Sequence, residues 1–257
     1  MTTQFATSPD GTRIAFDVCG RGPAIILLHG GGSNRCEWHE AGYVDRLSDD
    51  FTVIAMDLRG HGESGLPADP TDYAIDKMEQ DILAVADACY EDRFSLWGMS
   101  YGGKVGRYLA VHSVRVTKLI LLGTPLGLGV SGQLRQDAVD FCAHWTPIRR
   151  AQLAGTLEVN SLTQQDQEFV QRFNLPSMLG WVRAMLDWAA VVPGDFRCPV
   201  LWLVGSEDEH AVASIKEFAP ALKASKVRIL LVPGADHEQV FSDIDRVFPA
   251  MLAFMNS

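Results

Sequence analysis

Phe94-Ser95-Leu96-Trp97-Gly98-Met99-Ser100-Tyr101-Gly102 runs from an apolar stretch into a turn, and a helix-like stretch, Lys104 to His112, follows it. A Gly-x-Ser-x-Gly pentapeptide at a strand-to-helix turn puts its serine on a sharp, strained corner. The hydroxyl then stands clear of the sheet with a helix N-terminus beneath it. The two glycines leave room where side chains would collide with the neighbouring strand and helix. Taken alone, the pentapeptide is equally an ordinary glycine-rich turn, so its reading depends on the rest of the chain.

Outward from this turn, the chain alternates strands and helices. Upstream, Asp10-Gly11 separates two β-like stretches, Thr3 to Thr7 and Arg13 to Val18, and reads as a hairpin turn. Ala24 to Leu28 and Thr52 to Met56 are continuous apolar runs, as expected of strands covered on both faces. Ile75 to Cys89 carries apolar residues at helical spacing. Downstream, Lys118 to Leu122, Val200 to Val204 and Val227 to Val232 read as further strands. Such alternation predicts a mostly parallel sheet with helices on both faces.

The segment 124–196 breaks the rhythm. It has no convincing strand, and Thr163 and Asp166 are placed like an N-cap and its third helical residue. It also holds Trp145, Trp181 and Trp188, half of the chain's 6 tryptophans. We read residues 124–196 as a helical cap inserted into a core formed by 1–123 and 197–257. Its aromatics form either the insertion's own core or one wall of a ligand pocket.

The 257 residues suit one α/β domain with a large core. A net charge of −10 argues against a nucleic-acid partner, which needs a basic surface. No apolar run reaches membrane-spanning length, and the start lacks a basic region followed by an apolar one, so a cytoplasmic protein is expected. Cys19, Cys36, Cys89, Cys142 and Cys198 are scattered without CxxC spacing, which disfavours a disulfide framework or a zinc site; most are expected to be buried thiols.

Acyl transfer by serine needs a nucleophile, a base, an acid that orients the base, and donors for the developing oxyanion. Ser100 offers the first. His29-Gly30-Gly31-Gly32 directly follows a buried strand, and its glycines let backbone N–H groups point into a site at the strand's carboxyl end. His29 itself reads as structural. Asp57-Leu58-Arg59-Gly60-His61-Gly62-Glu63-Ser64 suits a tight, hydrogen-bonded scaffold turn, with His61 as a weaker competing base. Gly205-Ser206-Glu207-Asp208-Glu209-His210 follows a late strand, and Asp208 is the candidate acid, with Glu207 and Glu209 as neighbours. His237, after the last strand, is the candidate base. The order Ser, Asp, His is the one expected for this architecture.

These landmarks together resemble the α/β-hydrolase superfamily over nearly the whole chain. The resemblance implies an eight-stranded sheet, a helical cap between the sixth and seventh strands, and an oxyanion hole from the N–H groups of Gly31 and Tyr101. Serine at position 100 disfavours haloalkane dehalogenase and soluble epoxide hydrolase chemistry, which uses Asp there. Gly123-Thr124 leaves empty the alternative acid position of some relatives. Asp236 stands before His237 where relatives usually carry Gly; Asp tolerates a left-handed backbone, and its charge could affect the titration of His237.

The expected activity is that of a carboxylesterase or lactonase acting on a small, largely apolar ester, without cofactor or metal. The pocket is expected around Gly30, Gly32, Trp38, Trp145, Trp181 and Trp188. A C–C bond hydrolase is an alternative, ranked lower because such relatives often carry an aromatic residue after the catalytic His, here Glu238. Thioesterase and perhydrolase activities stay open, as does a non-catalytic ligand receptor on the same fold.

Overall fold

The computed structural model describes residues 2–257. Eight strands form one sheet in the order β1-β2-β4-β3-β5-β6-β7-β8. They are β1 (Gln4–Thr7), β2 (Arg13–Cys19), β3 (Ala24–Leu28), β4 (Thr52–Met56), β5 (Phe94–Met99), β6 (Val116–Leu122), β7 (Val200–Gly205) and β8 (Val227–Val232). β1 pairs antiparallel with β2, and β2 with β4; every later pairing is parallel. The Asp10-Gly11 turn does join β1 to β2, with Gly11 at φ 87°.

Helices cover both faces. In chain order they are α1 (Cys36–Glu40), α2 (Tyr43–Leu47), α3 (Ile75–Ala88), α4 (Ser100–His112), α5 (Gly132–Leu153), α6 (Gln164–Arg172), α7 (Leu175–Met185), α8 (Glu209–Glu217), α9 (Ala219–Lys223), α10 (Gln239–Ser242) and α11 (Ile244–Met255). The period-2 alternation of the strands sorts the core into two layers. Ile26, Leu28, Ile54, Leu96 and Leu121 pack against Met78, Ile82 and Val85 of α3 and Val105 and Leu109 of α4. Ile25, Leu27, Val53, Trp97 and Ile120 pack against Tyr43 and Leu47 of α2 and Val247, Phe248 and Met251 of α11. Both faces of the inner strands are therefore covered, as their unbroken apolar runs require.

Between β6 and β7 lie α5, α6 and α7, with only an isolated bridge, Gly127 to Val191, in β conformation outside the named strands. The cap at α6 is as read: Thr163 Oγ1 accepts from Asp166 N–H at 3.1 Å. α4 differs from expectation. It starts at Ser100, ahead of the helix-like stretch Lys104 to His112, and Gly102 and Gly103 lie in its first turn. They are glycine because the backbone there is crowded: a Cβ at Gly102 would lie 2.3 Å from Leu28 O. The cysteines also differ, since only Cys198 is buried and Cys36 is exposed. Among the described residues, no helix is long and apolar enough to cross a membrane.

Candidate active site

β5 delivers Ser100 to the carboxyl edge of the sheet, and the backbone turns there into α4. Ser100 has φ 47°; among the described residues Tyr90 is the only other non-glycine with positive φ. A serine in that region is strained, and the surrounding contacts hold it. A Cβ at Gly98 would lie 2.5 Å from Gly103 N, so a glycine at 98 lets the helix sit this close to the strand. The N–H of Tyr101 falls in the first turn of α4, where no intrahelical acceptor exists.

The second arm of the site comes from β7 and β8. Asp208 caps α8, its Oδ1 accepting from Ala211 N–H at 3.0 Å, and its Oδ2 lies 2.8 Å from His237 Nδ1. The Asp208 side chain is 2% exposed and that of His237 38% exposed, which leaves the far side of the imidazole accessible. Burial presses the Asp208 carboxyl upward, but the His237 and Ala211 hydrogen bonds outweigh it and hold its pKa below the usual value. The same hydrogen bond raises His237 above 6.5 against the opposing effect of burial. Glu207 and Glu209 are exposed.

Asp236 does not take part in this pairing. Its Oδ1 accepts from Glu238 N–H at 3.0 Å and Gln239 N–H at 2.8 Å, at the start of α10. Nor is it left-handed; Gly234, at φ 68°, takes that conformation, so the tolerance expected of Asp236 is not called upon.

The third arm follows β3. Buried His29 is pressed down to about 4, so it is neutral at ordinary pH. Its Nε2 accepts from Leu58 N–H at 3.0 Å, which fixes the tautomer, and Nδ1–H then donates to Gly30 O at 2.7 Å. Because a trans peptide points its N–H opposite its C=O, this bond aims the N–H of Gly31 away from His29. His61 is also buried and lowered, to about 3, wedged between His29, Tyr101 and Trp181. Asp57 is pinned in its turn by the N–H groups of Arg35 and Glu63, at 2.7 and 2.8 Å.

Gly31, Ser100, Tyr101, Asp208 and His237 line one cavity of about 420 Å³, with walls from Pro125, Val130, Leu134, Ala138, Phe141, Val182 and Met185. Trp181 belongs to this wall, as expected. Gly30 and Gly32 line a neighbouring cleft of about 540 Å³, which shares Ser100 and His237 and adds Glu37, Glu238 and Phe173.

Three expected pocket residues lie elsewhere. Trp38 is fully buried beneath the sheet edge, with ring centroids 5.1 Å from Tyr43 and 5.0 Å from Phe241. Trp145 stacks on Phe169 at 4.4 Å, inside the helical insertion. Trp188 lies behind Tyr101 at 6.0 Å, with Nε1 donating to Tyr73 O at 3.3 Å. Their large apolar surfaces serve packing instead. Conversely, Lys104 lines the cavity without standing out in the sequence; its spacing of one helical turn from Ser100 is the one signal of its place.

Comparisons with known proteins agree with this fold. A Bacillus subtilis protein with a provisional assignment as 2-succinyl-6-hydroxy-2,4-cyclohexadiene-1-carboxylate synthase is 26% identical over 92% of each chain. The chain also matches uncharacterized mycobacterial proteins at 39% identity over 122 residues, 47% of this chain, and spans about a third (34%) of their length. Among solved structures, an esterase from Exiguobacterium antarcticum superposes with a TM-score of 0.77 at 21% identity, covering 100% of both chains. The enol-lactonase from Burkholderia xenovorans LB400 gives 0.74 at 21% identity, covering 99% of this chain and 100% of that one. These two likenesses are of fold. A family model for the alpha/beta hydrolase fold matches residues 23–243, and with it the turns that carry Ser100, Asp208 and His237. The chain belongs to the alpha/beta hydrolase family.

Proposed function

We propose that the protein is a serine hydrolase that cleaves a small, largely apolar carboxylic ester or lactone through an acyl-enzyme on Ser100. The observation that carries this reading is the shared cavity. Strained Ser100 and His237 line it together, and His237 is held through Nδ1 by Asp208 at 2.8 Å.

In this mechanism Ser100 Oγ attacks the carbonyl carbon while His237 Nε2 accepts its proton. Asp208 fixes the tautomer and stabilises the imidazolium without itself taking the proton. The N–H groups of Gly31 and Tyr101 hold the oxyanion, each donor contributing about 3–4 kcal/mol in sites of this kind. The tetrahedral intermediate collapses, and His237 passes its proton to the leaving alkoxide. Water, deprotonated by the same imidazole, then releases the acid. For a lactone the leaving alkoxide stays tethered to the acyl group. The apolar wall suits an uncharged carbonyl flanked by alkyl groups, and the helices of 124–196 act as the cap that supplies most of that wall.

Hydrolysis of p-nitrophenyl acetate by the wild type and by Ser100→Ala tests the assignment. The variant should lose on the order of 10⁴-fold or more in kcat/KM while keeping its Tm. A folded Ser100→Ala protein that retains turnover overturns it.

A further inference from the structure

Lys104 stands one turn after Ser100 on α4, 7% exposed, and lines the cavity that holds the serine. Helical side chains lean toward the helix N-terminus, so Lys104 leans toward Ser100. Its ammonium has three donors. One meets Gly129 O at 2.8 Å, the only hydrogen bond of this side chain among the described residues, and no described carboxylate pairs with it. Arg107, one turn further on, also lacks a carboxylate partner but is anchored twice, on Pro125 O and on Leu128 O at 2.8 Å, and does not line the cavity.

Much of the chamber wall around Lys104 is apolar, with Val130, Leu134, Phe141, Val182 and Met185. Asp208 is bound to His237 and Ala211, while Asp137 and His210 are exposed. A buried ammonium with one neutral acceptor is poorly compensated. Two donors remain, and the cavity is the space left for what would meet them.

We propose that the preferred substrate carries a carboxylate on one arm, and that Lys104 holds this carboxylate in the chamber while Ser100 attacks the ester or lactone carbonyl. This inference rests on the hydrolase reading above and names its substrate class. Burial, helped by the charge of Arg107 and opposed by that of Asp208, presses Lys104 down to about 7, so the side chain readily becomes neutral in the cavity. An arriving carboxylate supplies the missing charge in low-dielectric surroundings and draws the lysine into its ammonium form. A neutral alkyl arm of the same length gains only apolar contact. Side chains one helical turn apart start about 5–6 Å from each other, which suits a short arm, on the order of three to five carbons between the two carbonyl groups.

The test is a set of matched esters. Monoethyl glutarate is compared with ethyl pentanoate, which places the acid on the acyl arm. The 4-acetoxybutanoate anion is compared with butyl acetate, which places it on the alcohol arm. The readout is the ratio of kcat/KM, acid over neutral, within each protein. The wild type should favour the acid member of one pair by about tenfold to a hundredfold, and Lys104→Met and Lys104→Gln should each collapse that ratio toward one. Binding of monoethyl glutarate to Ser100→Ala, followed by calorimetry, reads the same contact without turnover, and adding Lys104→Met should abolish it.

A wild type that hydrolyses the neutral esters with no acid preference in either pair overturns this proposal and leaves the hydrolase reading standing; Lys104 is then only a brace for Gly129. An acid preference that survives both lysine variants removes Lys104 from the recognition and equally overturns it. No turnover of any ester, with Ser100→Ala still binding monoethyl glutarate through Lys104, sinks the hydrolase reading and keeps the carboxylate site.

Discussion

Gly123→Ala should impair turnover without replacing any of the proposed reacting groups. Gly123 follows β6 at φ +56°, and a Cβ there would lie 3.0 Å from His237 Nδ1, 3.1 Å from Cε1 and 3.5 Å from Asp208 Oδ2. Two costs add. Holding alanine in the left-handed region costs about 1–2 kcal/mol relative to glycine. In a domain of this size that lowers Tm by roughly 2–8 °C. The second cost falls on geometry. Contacts of 3.0 and 3.1 Å are shorter than carbon ordinarily tolerates, so the imidazole must give by a few tenths of an ångström. His237 sits on a loop with its side chain 38% exposed, so it moves more easily than the sheet does. The shift stretches its 2.8 Å bond to Asp208 and misaligns Nε2. Since a displacement near 1 Å can cost about 10²-fold, a few tenths should cost roughly 3–10-fold in kcat. The weakened bond should also let the pKa of His237 relax toward 6.5, moving the activity midpoint to lower pH. Initial rates with p-nitrophenyl acetate across pH, beside thermal melts, read all three effects. If Tm falls while kcat stays within twofold and the pH midpoint does not move, the methyl does not reach the His237–Asp208 pair, and the reasoning fails.

Further outcomes follow from the same site. Asp208→Asn should lower kcat by about 10⁴-fold with a small change in Tm, since Asn still caps α8, whereas Glu207→Gln and Glu209→Gln should stay near wild type; kinetics on the three variants checks this. kcat/KM should rise with pH through a midpoint above 6.5, because the base must be neutral and Asp208 raises its pKa; a midpoint below 6.5 contradicts the pairing. Stability should fall as pH drops from about 6.5 to about 4, where the unfolded chain protonates His29 and His61 and the folded protein, with values near 4 and 3, does not; melts in matched buffers test it, and a flat profile counts against their neutral burial. Trp181→Leu should change the preference for acyl length, whereas Trp145→Leu and Trp188→Leu should mainly lower Tm; a length profile altered by Trp145→Leu would move the pocket into the insertion's core.

What the sequence made legible is local chemistry anchored to strand ends. Ala24–Leu28 and Thr52–Met56 occupy the residues their apolar runs indicate, because a strand covered on both faces has one composition available to it. Each candidate reacting group sits within a few residues of such an end: Ser100 one residue past β5, Asp208 three past β7, His237 five past β8. Once the strands are ordered in parallel, their carboxyl ends share one edge, and chain position alone brings the three groups toward one cavity. The glycines were legible for a related reason. Gly98 and Gly102 mark a close backbone approach, and close approach leaves a composition signature that any reader of the chain can see.

The pocket was less legible, because its walls depend on which side of a helix faces which neighbour. Trp145 and Trp181 look alike in sequence: each is an aromatic on an amphipathic helix between β6 and β7. Trp145 turns to Phe169 of α6 and closes the insertion's own core, while Trp181 turns to Tyr101 and the cavity. The packing of α5 against α7 settles that choice, and no residue's identity encodes it alone. Lys104 illustrates the reverse problem. A lysine in a helix reads as a solvent-facing charge, and here α4 is buried along ten of its residues, so the lysine is enclosed with it. The helix is enclosed because it lies under the sheet's central strands and under the segment that leads from β6 toward α5. The side chain at position 104 is thus committed to the cavity by topology, where Gly129 O at 2.8 Å is its one hydrogen-bond partner among the described residues.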